Sequence, residues 1–274
     1  LLTCKPSYAQ PTTEITDTKT IAPQRIISLA PHITEMIFSA GAGERLVGVV
    51  SYSDYPKAAL DITNIGSYQA INIEKIIQLN PDIIIAWQTG NRSKDIEKLA
   101  QLGFTIRYSN PHTLSDIAQE IRRYGQVFQT QSQANNVADQ LEQKLQQLQK
   151  AQTKLKTIKA YYQIWHKPMM TINGEQFISH ALNLCGAKNI FADLAVLTPE
   201  ISIESVIERD PQVILLGGQK AMQQAWLKDW QKWHNISAIK NQHIYTLNAD
   251  TFQRPTARLI NGIDGLCEII DQAR

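Results

Sequence analysis

Ile71-Asn72-Ile73-Glu74-Lys75-Ile76-Ile77-Gln78-Leu79-Asn80-Pro81-Asp82-Ile83-Ile84-Ile85 is in effect written twice in this chain. The second copy, Ile201-Ser202-Ile203-Glu204-Ser205-Val206-Ile207-Glu208-Arg209-Asp210-Pro211-Gln212-Val213-Ile214-Leu215, lies 130 residues further on, with no insertion inside it. In each copy a capping residue (Asn72, Ser202) opens a short helix, with a Glu two positions on. A proline then stops the helix, and an unbroken aliphatic run follows, the pattern of a parallel strand buried on both faces. One strand-and-helix plan used twice predicts two α/β lobes.

The rest of the chain fits that plan. In the first half Arg25 to Leu29, Leu46 to Val50, Ile83 to Ala86 and Phe104 to Tyr108 read as strands, with helices over Thr34 to Ala40 and Ser93 to Leu102. Gly41 and Gly103 stand at the helix stops. In the second half Tyr161 to Trp165, Val213 to Leu216 and Ile244 to Leu247 read as strands. Gln176 to Leu184, Lys220 to Trp233 and Arg258 to Ala273 read as helices. Between the halves, Gln131 to Lys159 holds no Gly or Pro and carries Leu141, Leu145 and Leu148 at helical spacing. It predicts one long rigid linking helix, its apolar stripe too short for a coiled coil. The expected divisions are a leader over 1–22, an N-terminal lobe over 23–130, the linking helix over 131–159 and a C-terminal lobe over 160–274.

Composition narrows the function. The 274 residues are 43% hydrophobic and 19% charged, a globular balance outside the disordered range. A formal charge of +2 and the lack of basic runs among aromatics give no reason to expect a nucleic-acid partner. Apolar runs such as Ile83 to Trp87 have strand length, well below the ~20 residues of a membrane-spanning helix. Ser7-Tyr8-Ala9 reads as a small-x-small signal-peptidase site, and Leu1-Leu2-Thr3-Cys4 as an alternative lipoprotein box with Cys4 lipidated. Both send the protein out of the cytosol, to the periplasm. In an oxidising compartment Cys185 and Cys267 are read as a disulfide, the alternative being two buried free thiols.

Enzyme signatures do not emerge. The chain has no Gly-x-Gly-x-x-Gly after its first strand, no phosphate loop, no His-Glu-x-x-His, no Cys-x-x-Cys and no Gly-x-Ser-x-Gly. Its six histidines are scattered singly, so neither a metal site nor a nucleophile with its base is expected. Asp250 and His32 are the only pair an exported enzyme of this build would have for proton transfer. What remains is a set of residues at strand ends, where open α/β sheets bind ligands. Tyr52 and Tyr55 follow the second strand, Tyr68 precedes the repeated helix, and Trp87 follows the Ile83 run. Met169 and Met170 follow a strand of the second half, and Asp250, Phe252 and Arg254 follow the Ile244 strand. Together they predict an aromatic cleft with a few polar anchors between the lobes.

These residues carry a resemblance. Arg25 to Glu35 (Arg-Ile-Ile-Ser-Leu-Ala-Pro-His-Ile-Thr-Glu), Gly48 to Pro56 (Gly-Val-Val-Ser-Tyr-Ser-Asp-Tyr-Pro), Asn80 to Trp87, Asn183 to Phe191 and Arg254 to Cys267 resemble periplasmic vitamin B12-binding proteins. Those proteins form one branch of the helical-backbone, metal-chelate-binding family that serves ABC importers. The resemblance implies the class III periplasmic-binding-protein fold, two Rossmann-like lobes joined by one rigid helix, and binding without catalysis. It implies a corrinoid, cobalamin or cobinamide, as transported ligand rather than cofactor, with haem or an iron–siderophore as the alternative cargo. Tyr52, Tyr68, Trp87, Asp250, Phe252 and Arg254 then fall on ligand-contacting positions, with Met170 beside them and His32 near the cobalt or capping its helix. Glu74 and Glu204, one per lobe, would dock a monomeric protein onto the permease dimer with its ATPase subunits. Two departures stand out: Tyr68 replaces an expected Trp, and Thr198 lies where another Trp is expected.

Overall fold

The structure, a computed structural model, describes residues 22–152 and 156–274. Cys4 and the leader segment up to residue 21 lie outside the described residues. In the first half the order is β1 (Ile26–Ser28), α1 (Pro31–Ser39), β2 (Leu46–Val49), the hairpin β3 (Gly66–Ser67) and β4 (Ala70–Ile71), then α2 (Ile73–Leu79) and β5 (Ile83–Trp87). After them come α3 (Ser93–Gln101), β6 (Ile106–Ser109), α4 (Leu114–Phe128) and α5 (Gln131–Gln152). The second half runs β7 (Ile158–Gln163), α6 (Phe177–Leu184), β8 (Ala187–Asn189), α7 (Ile203–Arg209), β9 (Val213–Leu216) and α8 (Lys220–Trp230). It closes with α9 (Ser237–Lys240), β10 (Ile244–Thr246), α10 (Ala249–Phe252) and α11 (Ala257–Gln272).

Two four-stranded parallel sheets share one topology. The first is ordered β2-β1-β5-β6 and the second β8-β7-β9-β10, so in each the second strand flanks the first and the third follows it. The duplicated sequence accounts for the likeness. Helices α2 and α7 are both seven residues long, capped by the side chains of Asn72 and Ser202 on the amides of Lys75 and Ser205. Both end on a left-handed residue, Asn80 at φ 43° and Asp210 at φ 44°, types that tolerate that region. Arg25 Nε and Lys159 Nζ each donate to the last carbonyl of the repeated helix, Leu79 and Arg209. Asp82 and Gln212 accept backbone amides at the start of β1 and β7.

The linking segment differs from expectation. The helix α5 is described only to Gln152, about 33 Å of rise, whereas the sequence reading extended it to Lys159. Ile158 and Lys159 instead open β7 and pair with Ala187 and Lys188. Absence of Gly and Pro permits a helix but does not compel one when a buried Ile can join a sheet. Nor does α5 stand alone. The connection Gln129-Thr130 folds it back along α4, a helix missing from the sequence reading, with Ala134, Ala138 and Leu141 buried. A Cβ on Gly125 of α4 would lie 2.3 Å from that of Ala134, so the glycine sets their close approach.

One apolar core runs from α1 and α4 through α5 to α6 and α11, while a smaller cluster lies under the other face of each sheet. Cys185, at the end of α6, and Cys267 of α11 form a disulfide that pins the closing helix to the second lobe. No helix among the described residues is long and apolar enough to cross a membrane.

Candidate functional site

The candidate groups of the first lobe collect at the carboxyl ends of its strands. In the first lobe Ala30, Pro31 and His32 leave β1, Trp87 ends β5, and the β3–β4 hairpin presents Tyr68. The Trp87 ring lies 5.1 Å from His32, edge to face, and 5.8 Å from Tyr68. Asn91, absent from the sequence reading, holds this arrangement together. Its Oδ1 accepts from the Trp87 amide at 2.6 Å, and its Nδ2 donates to the carbonyls of Leu29 and Tyr68 at 2.9 and 2.8 Å. A single amide thus ties the ends of two strands to the hairpin.

His32 is 4% exposed, and its Nε2 is buried without a hydrogen-bond partner. Burial, followed by the positive charge of Arg254, pulls its pKa down to about 3, so the ring is neutral at ordinary pH. Tyr52 behaves oppositely. It is 67% exposed, and its backbone sits at φ 67°, a left-handed conformation that costs a bulky residue on the order of 1–3 kcal/mol. It lines a cavity of about 460 Å³ together with Asp54 from the first lobe and Gln219, Lys220, Asn248 and Asp250 from the second. This cavity spans the lobe boundary. A larger one of about 630 Å³, around Lys159, Lys188 and Arg209, lies beside the amino-terminal end of β7.

Beside the boundary cavity stands a charged latch. Arg254 donates to Asp54 (2.7 Å) and Glu35 (3.0 Å) of the first lobe and to Asp250 (2.8 Å) of its own. Partial burial works against its charge, but the carboxylates of Asp54 and Glu35 outweigh that and raise its pKa. Arg258 also binds Glu35, through Nε at 2.8 Å, and its guanidinium lies 4.1 Å over the Tyr55 ring. Sequence reasoning found Asp250 and Arg254 but missed Glu35, Asp54 and Arg258. The signal for Glu35 was an acidic residue on the apolar face of α1, between Ile33 and Met36.

Other candidates scatter. Phe252 is only 7% exposed and packs into the main core, against Gly262 of α11, instead of forming an open cleft wall. The reason is that α10 is a single helical turn, in which Phe252 lies about 200° round the axis from the exposed Asp250 and so faces α11 and the core. Met170 lines a separate cavity of about 340 Å³ in the second lobe, with Thr198 and Gln253. Glu74 and Glu204 are exposed, at the same position of the two repeated helices. Among the described residues no cluster of three His, Cys, Asp or Glu side chains could hold a metal ion.

Twin parallel sheets, a shared helical back and a boundary cavity define the class of bilobed periplasmic binding proteins. The family model described as periplasmic binding protein matches residues 26–251, and the chain belongs to that family. It is 38% identical over 252 residues to the vitamin B12-binding protein of Vibrio parahaemolyticus, covering 92% of this chain and 90% of that one. To the vitamin B12-binding protein of Pectobacterium atrosepticum it is 36% identical over 275 residues, covering 97% and 91%. Among solved structures, the periplasmic vitamin B12-binding protein BtuF of Vibrio cholerae matches with a TM-score of 0.83 at 38% identity, covering 92% of this chain and 98% of that one. The haem-binding protein HutB of Vibrio cholerae, at 19% identity and a TM-score of 0.80 (90% and 98% covered), shares the fold alone. The resemblance read from the sequence is thereby borne out.

Proposed function

We propose that this chain is an exported, periplasmic capture protein that binds a corrinoid at the lobe boundary and delivers it to an ABC importer. The observation that carries this reading is the boundary cavity that Tyr52 and Asp54 of one lobe share with Asp250 of the other, with Arg254 bonded to both carboxylates; the Tyr68–Trp87 pair at the strand ends of the first lobe is read as its aromatic wall. A corrin is a flat macrocycle fringed with amide arms. Aromatic side chains cover its ring, while a carboxylate accepts from its amide N–H groups and a guanidinium donates to its amide carbonyls. Met170 and Gln253 extend the contact on the second lobe.

The neutral His32 faces the Trp87 edge with its Nε2 covered, which favours a corrinoid over a haem held through that nitrogen. The ligand is cargo, not cofactor, and the protein acts as a binder and not as an enzyme. Glu74 and Glu204, repeated at one position of two like lobes, each grip one subunit of a two-fold permease that carries ATPase subunits, with the capture protein a monomer.

Isothermal titration with cyanocobalamin, then cobinamide, with haem as control, tests the ligand. Submicromolar one-to-one corrinoid binding is expected; silence toward both corrinoids with a response to haem overturns the reading. Glu74→Lys combined with Glu204→Lys is expected to leave that titration unchanged and to abolish corrinoid uptake by cells. Undiminished uptake removes the docking role.

A further inference from the structure

We propose that Trp165 is a ligand-contacting residue of this site, the flat wall that the second lobe contributes opposite the aromatic cluster of the first. The proposal rests on the corrinoid reading and adds a specificity-determining side chain to it. It starts from topology. In an open parallel sheet the ligand crevice forms where segments leaving two adjacent strands diverge to opposite sides. In the first sheet that point lies between β1 and β5, and it carries His32 and Trp87. In the second sheet the same point lies between β7 and β9. The segment leaving β7 is Ile164-Trp165, and the one leaving β9 is Gly217-Gly218, so Trp165 stands in the segment of the second sheet that matches Leu29 to His32 of the first.

The side chain is built as a contact surface. Trp165 is 44% exposed, whereas Trp226 and Trp230 of the same lobe are buried. It is also fixed in place. Its Nε1 donates to the Lys167 carbonyl at 3.1 Å, its carbonyl accepts from the Met170 amide at 3.1 Å, and its ring meets Trp226 at 6.5 Å, edge to face. A large apolar ring left in water yet held rigid loses little freedom when a ligand covers it.

The surroundings suit a corrin face. Trp165 lines the cavity of about 340 Å³ with Met170, Ile172, Thr198 and Gln253. Gln253 joins this cavity to the latch: it precedes Arg254, and its Nε2 donates to the Gly217 carbonyl at 2.6 Å. Thr198, where an aromatic was expected from the sequence, offers no ring. Trp165 supplies a flat apolar surface to the same cavity from a different segment of the chain.

The test compares Trp165→Ala and Trp165→Phe with the wild type by titration with cyanocobalamin and cobinamide, and by the quenching of tryptophan fluorescence on corrinoid addition. Trp165→Ala is expected to weaken both corrinoids about tenfold, and Trp165→Phe, which keeps a ring, by less than about threefold. Trp233→Ala, which removes an exposed tryptophan that does not line the cavity, is expected to leave affinity unchanged. Thermal unfolding of Trp165→Ala close to that of the wild type shows that a lost contact, not a lost fold, is read. Wild-type binding with unchanged affinity in Trp165→Ala overturns this proposal alone. A wild type silent toward both corrinoids overturns the reading beneath it as well.

Discussion

Glu35 and Arg258 stand 223 residues apart in sequence and meet across the lobe boundary, Arg258 Nε donating to Glu35 Oε2 at 2.8 Å. Glu35 is 3% exposed, and its other oxygen accepts from both Arg258 and Arg254. The N-terminal lobe therefore places a buried carboxylate under the two guanidinium groups of the C-terminal latch. The contact joins the two lobes beside the boundary cavity, where Arg254 also reaches Asp250.

Removing that carboxylate leaves two cations facing a desolvated space. Glu35→Ala is expected to cost about 3 kcal/mol of unfolding free energy, the lower end for breaking a buried pair, since Arg254 keeps Asp54 and Asp250. Urea unfolding measures it. A loss within experimental error of zero would show that the latch does not hold the lobes.

His32 gives a pH dependence of known sign. Its folded pKa of about 3 lies below the ordinary 6.5. Between those values the unfolded chain binds a proton that the folded chain rejects, so stability falls as pH drops below 6.5 and is flat in this respect above it. The slope from this group approaches about 1.4 kcal/mol per pH unit. His32→Gln is expected to unfold in urea with a shallower loss of stability between about pH 6 and pH 4. Equal slopes in the two proteins would sink the assignment.

Asn91 serves three backbone groups with one side chain. Asn91→Ala is expected to cost about 1–3 kcal/mol in stability, because the Leu29 and Tyr68 carbonyls and the Trp87 amide lose their partner. It is also expected to weaken corrinoid binding by letting Tyr68 drift from Trp87. Titration and urea unfolding read the two effects, and affinity equal to wild type would detach Asn91 from the site.

The Cys185–Cys267 bridge closes a loop of 82 residues, worth about 4–5 kcal/mol in the chain-entropy model. Cys185→Ser with Cys267→Ser is expected to lower unfolding free energy by an amount of this order, matching the wild type under reductant. Corrinoid affinity is expected to persist, since the bridge lies on α6 and α11 and not in the cleft. Equal stability with and without reductant would contradict a stabilising role.

Legibility in the sequence followed how local each cause was. The capping residues, the proline stops and the aliphatic runs of α2–β5 and α7–β9 act within a dozen residues, and the two copies settle each other's reading. Helix α4 had a local signal as well, the Thr113–Asp116 capping box, which went unread. The short strand β8 had none; Ala187-Lys188-Asn189 becomes a strand only because β7 is there to pair with it. Among the residues of the proposed site, Tyr52, Tyr68, Trp87, Asp250 and Arg254 were visible as aromatic or charged groups at strand ends. Glu35, Asn91 and Trp165 were not, since each takes its meaning from partners brought up by other parts of the chain.

The sequence by itself determined the duplicated lobe, the buried parallel strands and the family, because periodicity, caps and motif spacing are written along the chain. Tertiary structure alone decided that α5 folds back on α4, that Phe252 turns into the core and that Glu35 sits beneath Arg254 and Arg258. It also decided that Trp165 stands open at the second crevice. The physical reason is that burial and pairing are shared between segments up to 223 residues apart, so a residue's exposure and charge partners exist only once both lobes have formed.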